Sequence, residues 1–216
     1  MADTGHPEPP ETAVPAVLEL VDLFARLRRE CAWKAAQTHR SLTRYLLEEA
    51  YEAVEAIDSG DPDRIRDELG DVLLQVHLHA AIAAEAGTFD MEDVAAGLRE
   101  KMVRRNPHVF GGPPETDPDR IDEAWQRIKA AERRTPETSP AAPLDDGIPA
   151  GLPALVRATK VLERLARTGP VQLPDPPDAD TAAALGHQLL RLVEEARRAG
   201  VDPEQALRQT LRDLVG

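Results

Sequence analysis

The chain has 216 residues, of which 42% are hydrophobic and only 3% aromatic, and its formal net charge is −13. This length allows one or two domains with a buried core, and the abundance of aliphatic residues, Ala, Glu and Arg favours helices throughout. The negative charge argues against partners such as polymeric nucleic acid or an anionic membrane. The single cysteine excludes an internal disulfide. Neither a membrane span nor a signal peptide is predicted, so the expected location is cytoplasmic.

The first predicted helix follows a tail. Residues 1–14 are rich in Pro and acidic residues, contain little to bury, and are predicted to be disordered. From Pro15 to the basic pair Arg28-Arg29, apolar residues recur at helical spacing. Residues 30–40 then break this periodicity and contain Trp33, for which two interpretations stay open: a residue of the core, or the wall of a pocket.

Two acidic helices come next, at about residues 41–59 and 62–86, joined by a turn. Helices joined by a short turn lie antiparallel as neighbours, and acids three residues apart share one helix face. The pair can therefore bring together four carboxylates, those of Glu49, Glu52, Glu68 and Asp71. Oxygen ligands with nothing softer nearby suit Mg²⁺ or Mn²⁺.

The alternative for these acids is a solvated helix face. Projection at about 100° per residue places Glu49 in the core-facing arc of its helix and Asp71 among leucines of the next. Carboxylates are rarely buried unless they are paired or bound to metal, and this favours the metal site. His77 and His79 are predicted to be structural, because His79 lies about 16 Å further along the helix than Glu68.

A third helix is predicted from its N-cap Asp90 to Asn106, where Pro107 ends it. Its last turns carry three cations, Lys101, Arg104 and Arg105. Cations are common at helix C-termini because of the helix dipole, yet beside a metal site these three also suit a phosphate clamp. A short helix at about residues 119–133 follows, and its Trp125 is either a packing residue or a flat surface for a nucleobase.

Residues 135–149 are dense in Pro, Ala and acid and predict a linker, which separates a first domain at residues 15–134 from a second at residues 150–216. In the second domain, helices are predicted at about residues 151–167, 180–199 and 202–215. The sequence ELGD at residues 68–71 has a faint counterpart in ALGH at residues 184–187, so both candidate ligands are replaced there. We interpret this domain as a degenerate, truncated copy that serves packing or assembly.

These motifs together resemble the MazG family of nucleoside triphosphate pyrophosphohydrolases, in the all-α NTP pyrophosphatase superfamily. The resemblance covers about residues 18–132 and rests on QTHRSL at residues 37–42, the two acidic motifs, and EKMVRRNPHVFG at residues 100–111. The segment at residues 147–166 resembles the connection between domains in that family. The fold implied is an all-α, four-helix MazG-like bundle with a degenerate, truncated second helical repeat.

The resemblance also implies Mg²⁺-dependent hydrolysis of a nucleoside triphosphate to the monophosphate and pyrophosphate, as nucleotide-pool housekeeping by a homodimer or higher oligomer. By motif position, the metal ligands would be Glu49, Glu52, Glu68 and Asp71, with Glu48 as a catalytic helper. The phosphates would be bound by Lys101, Arg104 and Arg105. Trp125 would face the base, and Trp33 and Lys129 are further candidate substrate-binding residues.

Two positions depart from the family pattern. The chain has CAWK at residues 31–34 where the family usually has CPWD, and Asn106 where the family usually has His. Neither position holds a proposed metal ligand, so the departures bear on substrate choice and rate. The alternative function is a catalytically weak regulatory or scaffold module that retains nucleotide or metal binding, and the intact acids argue against it. A di-iron bundle is excluded, because its Glu-x-x-His pairs are missing at the acidic clusters.

Overall fold

The structure, a computed structural model, describes residues 15–133, 144–167, 169–175 and 181–215. Regular secondary structure within these ranges is helical throughout, which confirms the predicted all-α class. The helices are α1 (Pro15–Glu30), α2 (Ala32–Ala35), α3 (His39–Ser59), α4 (Pro62–Glu85), α5 (Met91–Arg105), α6 (Pro118–Arg133), α7 (Ala154–Ala166), α8 (Thr181–Arg198) and α9 (Pro203–Val215). The predicted tail and most of the predicted linker lie outside the described residues. No helix in the described ranges has the length and apolar character needed to cross a membrane.

Two helix starts differ from the predicted ones for local reasons. Helix α3 begins at His39, two residues earlier than predicted, because Thr38 and Ser41 form a capping box. The Ser41 amide donates to Thr38 Oγ1 at 3.1 Å, and the Thr38 amide donates to Ser41 Oγ at 2.9 Å. Helix α7 begins at Ala154, three residues later than predicted, with Pro153 as its N-cap. A residue that precedes proline avoids the helical region, so Leu152 cannot extend this helix.

The turn between the acidic helices is specified by its own residues. Gly60 ends α3 with φ of 70°, a left-handed conformation that favours glycine. Asp61 then caps α4, because its carboxylate accepts the amides of Asp63 at 3.0 Å and Arg64 at 3.4 Å. The turn therefore sends α4 back along α3, and these two helices pack along each other.

The chain divides into two compact units, Met1–Ala131 and Glu132–Gly216. The core of the first unit is formed by Phe24 of α1, Leu42 of α3 and Leu78 of α4, all buried. Helix α1 packs against α4, and α5 contacts α4 after the short connection at residues 86–90. The core layer thus lies toward the end of the α3 and α4 pair that is distant from its turn.

In the second unit, α7, α8 and α9 pack on one another around Leu162 and Val193. Glu194 of α8 is only 5% exposed and accepts hydrogen bonds from Arg197 at 2.7 Å and from Arg198 at 2.9 Å. The Arg197 hydrogen bond is the main cause that lowers the pKa of Glu194 from 4.5 to about 2. Charge compensation therefore makes this buried acid tolerable.

The ALGH sequence of the predicted degenerate copy lies on α8. Its Ala184 and His187 are half-buried, and His187 Nδ1 lies 2.8 Å from the Ala183 carbonyl, which accepts the hydrogen bond. Neither residue supplies the carboxylate found at the matching position of α4.

Candidate active site

The α3 and α4 pair brings acidic side chains from both helices to one place. Glu49 of α3 and Glu68 and Asp71 of α4 each offer a carboxylate oxygen within 4.8 Å of the others. Glu49 and Glu68 are half-buried, whereas Asp71 is exposed. We call these three residues the acidic cluster. Its geometry results from the short turn at Gly60, which sets the register between the two helices.

The fourth predicted ligand, Glu52, is exposed and lies outside this group of three, as does Glu48. Both nevertheless act on Glu49. Burial raises the pKa of the Glu49 carboxyl, and the charges of Asp71, Glu52, Glu48 and Glu68 raise it further, in that order. The site therefore disfavours its own negative charge, which a bound cation would relieve. The assignments of Glu52 and Glu48 stay predictions.

The expected burial of Asp71 was wrong. The projection placed it among leucines, but the core layer at Leu42 and Leu78 lies seven residues away on each helix, about 10 Å along the axis. Closer to the turn, Ile57 and Leu69 are about half exposed, at 55% and 51%. The acidic cluster thus lies outside the layer of Phe24, Leu42 and Leu78, and Asp71 is open to solvent although Ala53 and Ala56 of α3 are buried closer to the turn.

Trp33 on α2 is not a core residue, because half of its surface is exposed. Its ring meets Tyr45 of α3 edge-to-face, with centroids 5.9 Å apart, and the Lys34 ammonium lies 5.4 Å from the Trp33 ring. Tyr45 precedes Glu49 by one helical turn, about 6 Å along the axis. The two rings therefore form an aromatic surface on the side of α3 that also carries Glu49.

Sequence reasoning gave no site role to Tyr45. Its spacing of four residues from Glu49 was the available signal, since residues at i and i+4 share a helix face.

Two cations lie close to the ring of Trp125 on α6. The Arg105 guanidinium lies 5.0 Å from the ring centroid and the Lys129 ammonium lies 4.8 Å from it. Three predicted substrate residues from two helices are therefore in contact, at a distance typical of cation–π interaction. Lys101 and Arg104 are exposed on the last turns of α5.

Comparison of the sequence with known proteins shows its family. The profile of the MazG nucleotide pyrophosphohydrolase domain matches residues 37–110. A Thermotoga maritima protein named nucleoside triphosphate pyrophosphohydrolase/pyrophosphatase MazG is 38% identical, over 91% of this chain and 82% of its own length. The chain belongs to the MazG family. The nucleoside triphosphate pyrophosphohydrolase of Escherichia coli strain K12 is 36% identical, over 91% of this chain and 73% of its own length.

A MazG-related protein from Thermotoga maritima, whose crystal structure is known, is 26% identical in sequence to this chain. The two structures superpose with a TM-score of 0.46 over 52% of this chain and 98% of that one.

The matched MazG region contains every acid of the candidate site and the three cations of α5. Trp33, Trp125 and Lys129 lie outside it. Asn106, where the family usually has His, ends α5: its side-chain Nδ2 donates to the Met102 carbonyl at 2.8 Å. This departure from the MazG pattern therefore caps the helix that carries the cations.

The two histidines of α4 occupy structural positions beside the MazG motifs. His77 is 2% exposed and stacks on Phe24, with ring centroids 5.2 Å apart. His79 Nδ1 lies 2.7 Å from His39 Nδ1, and the two rings stack at 5.0 Å. Burial lowers the pKa of both His77 and His79, which keeps their rings neutral near pH 7.

Proposed function

We propose that this MazG-family protein hydrolyses nucleoside triphosphates between the α- and β-phosphorus atoms and releases a nucleoside monophosphate and pyrophosphate, with Mg²⁺ as cofactor. The observation that carries the proposal is the acidic cluster: three carboxylates from two helices, with oxygens within 4.8 Å of one another. The relatives named nucleoside triphosphate pyrophosphohydrolase support the reaction.

The donor set fits a small hard cation. The acidic cluster offers only oxygen ligands, which Mg²⁺ prefers and Mn²⁺ also accepts. When bound, such an ion would neutralise phosphate oxygens and lower the pKa of a water molecule near the α-phosphorus. Glu52 is proposed as a further ligand. Glu48 is proposed to orient the attacking water and accept its proton, because it is exposed and close enough to influence Glu49.

The cations of α5 are suited to bind the triphosphate. Helix α5 contacts α4 after the short connection at residues 86–90, and its cations lie in the same matched MazG region as the acids of the candidate site. Lys101, Arg104 and Arg105 are therefore proposed to bind the phosphates and stabilise the departing pyrophosphate.

The aromatic residues are proposed to contact the nucleoside. Trp33 presents a half-exposed ring in contact with Tyr45, one helical turn from Glu49, and the Trp125 ring is in contact with Arg105 and Lys129. Stacking on an aromatic ring tolerates different bases, since every base has a flat face. Binding of this kind suits an enzyme that removes unwanted nucleotides from a mixed pool. We therefore propose a housekeeping role at the cytoplasmic nucleotide pool.

The proposed assembly is a homodimer or higher homo-oligomer. Large apolar side chains are exposed on the α3 and α4 pair, among them Leu47, Ile57 and Leu69. A second copy that covered them would remove apolar surface from water close to the acidic cluster.

A pyrophosphate-release assay tests this function. Purified protein is given a panel of ordinary and modified nucleoside triphosphates, with Mg²⁺ and with EDTA, and the products are separated. We expect monophosphate and pyrophosphate in equal amounts, only with metal. Release of orthophosphate would show that another bond is cut. No product from any substrate, by a folded protein that still binds Mg²⁺, would favour the regulatory module instead.

A further inference from the structure

Arg28, in the last turns of α1, is a buried cation outside the acidic cluster and outside the matched MazG region. It is only 8% exposed. Its Nε donates to Glu85 Oε1 at 2.8 Å and its Nη2 donates to Glu85 Oε2 at 2.6 Å, which joins α1 to the end of α4 in a bidentate ion pair. A buried guanidinium needs such partners, because unpaired burial of a charge is costly.

The remaining nitrogen of Arg28 points at a different target. Nη1 donates to the Gln37 carbonyl at 3.0 Å and also to the Lys34 carbonyl. These two carbonyls flank the end of the four-residue helix α2, and the Lys34 carbonyl also accepts the Gln37 amide at 3.1 Å. One side chain thus ties the segment at residues 31–38 to both α1 and α4.

The same segment holds Trp33 by a second set of bonds. Gln37 Nε2 donates to the Trp33 carbonyl at 2.9 Å, and Ser41 Oγ donates to Gln37 Oε1 at 2.8 Å. The backbone of Trp33 is therefore fixed through Gln37, whose own carbonyl is held by Arg28. The Trp33 ring in turn rests on Tyr45, one helical turn from Glu49.

We propose that Arg28 is a positioning residue that holds the Trp33 ring beside the acidic cluster through the carbonyls of Lys34 and Gln37. Arg28 reaches the substrate site only through this segment. The consequence for catalysis rests on the proposed function, because it requires that Trp33 contacts the nucleotide. The consequence for the position of Trp33 does not.

An ion pair that only joined α1 to α4 would give a different mutational pattern. Arg28→Gln removes the Glu85 pair and both carbonyl bonds, whereas Glu85→Gln removes the pair and leaves the carbonyl bonds possible. If Arg28 positions the segment, R28Q should raise KM about tenfold, the order expected from weakening one base-stacking contact. E85Q should raise KM much less, and kcat should stay within about twofold of wild type in both, because neither residue contacts the acidic cluster.

Arg26→Gln is the matched control. Arg26 lies on the same helix and pairs with Glu30 at 2.9 Å, but both side chains are exposed, at 71% and 58%. R26Q should leave KM and kcat unchanged. If R28Q does not fold, Arg28→Lys replaces it: the lysine keeps the charge beside Glu85 but lacks the fork that reaches both carbonyls, so KM should rise in the same direction.

A fluorescence measurement reports on Trp33 without any substrate. The sequence has two tryptophans, so a Trp125→Phe background leaves Trp33 as the only one. We expect acrylamide to quench Trp33 more strongly after R28Q than in the background protein, with E85Q between them and R26Q unchanged.

Equal quenching in R28Q and the background, or equal effects of R28Q and E85Q on both KM and quenching, would overturn the positioning role. If the wild-type protein released no pyrophosphate, the proposed function would fail, and the quenching series would still decide whether Arg28 fixes Trp33.

Discussion

Glu49→Gln is expected to stabilise the metal-free protein and to abolish its activity and its response to Mg²⁺. Glu49 is half-buried beside Glu68 and Asp71, and both burial and the neighbouring charges raise the pKa of its carboxyl. A raised pKa for an acid means that the folded state disfavours the ionised form that is present at pH 7. A neutral amide of the same shape removes that penalty.

The size of the effect follows from the distances. Two unit charges at 4.8 Å, the outer limit within the acidic cluster, repel by about 1 kcal/mol in water and by about 3.5 kcal/mol at an effective dielectric constant of 20. Because Asp71 is exposed, the lower value applies, and removal of two pairs gives about 2 kcal/mol. In a protein of this length, that raises the thermal midpoint by about 4–8 °C.

Addition of Mg²⁺ should reverse the order of thermal stability of the wild-type protein and E49Q. An ion that binds only the folded state stabilises it by about 2.7 kcal/mol at a concentration 100 times its Kd. The wild-type midpoint should therefore rise on addition of Mg²⁺, whereas that of E49Q should barely move.

Thermal unfolding in EDTA and in a Mg²⁺ series checks both statements, and pyrophosphate release checks activity. Glu55→Gln serves as the control, because Glu55 is an exposed acid of the same helix that forms only a 3.6 Å pair with Arg64. E55Q should keep both activity and the metal response. If E49Q were less stable than wild type in EDTA and still gained stability from Mg²⁺, the acidic cluster would not be the metal site.

Three further changes test other parts of the structure. The pKa of Glu194 is held at about 2 rather than 4.5, so its ion pairs stabilise the fold above pH 5. About 3 kcal/mol of the free energy of unfolding should therefore be lost as the pH falls to 2. In denaturant titrations, Glu194→Gln should be less stable than wild type at pH 7 and should not show this loss. Trp125→Leu should raise KM about tenfold with little change in kcat, while Trp125→Phe keeps a ring and should stay near wild type; equal KM values for the two would remove the ring from substrate binding. Gly112→Ala places a Cβ 2.8 Å from the Pro107 carbonyl oxygen and should lower the stability by about 1–3 kcal/mol in thermal unfolding. Gly97→Ala, in open space on α5, should raise the stability by about 0.5–1 kcal/mol. Equal effects of the two substitutions would contradict the close approach of Gly112 to Pro107.

The sequence determined the features that depend on neighbouring residues. Gly60 with Asp61, and Asp90 with Asp93, mark helix boundaries through hydrogen bonds that span three residues or fewer. The 3.6-residue period placed the acids of each helix on one face. The turn between α3 and α4 is too short for any arrangement other than a hairpin, so the meeting of Glu49 with the acids of α4 was also predictable.

The tertiary structure decided which side chains are covered and which reach across the chain. Asp71 has leucines around it on its own helix and is nevertheless exposed, because the helical period shows which residues share a face but not which other helices cover that face. Trp125 meets Arg105 from another helix, and Arg28 meets Glu85, 57 residues away. From the sequence, Arg28 is an ordinary cation at a helix C-terminus. Its burial and its hydrogen bonds to two carbonyls arise only when α1, α2 and α4 pack together.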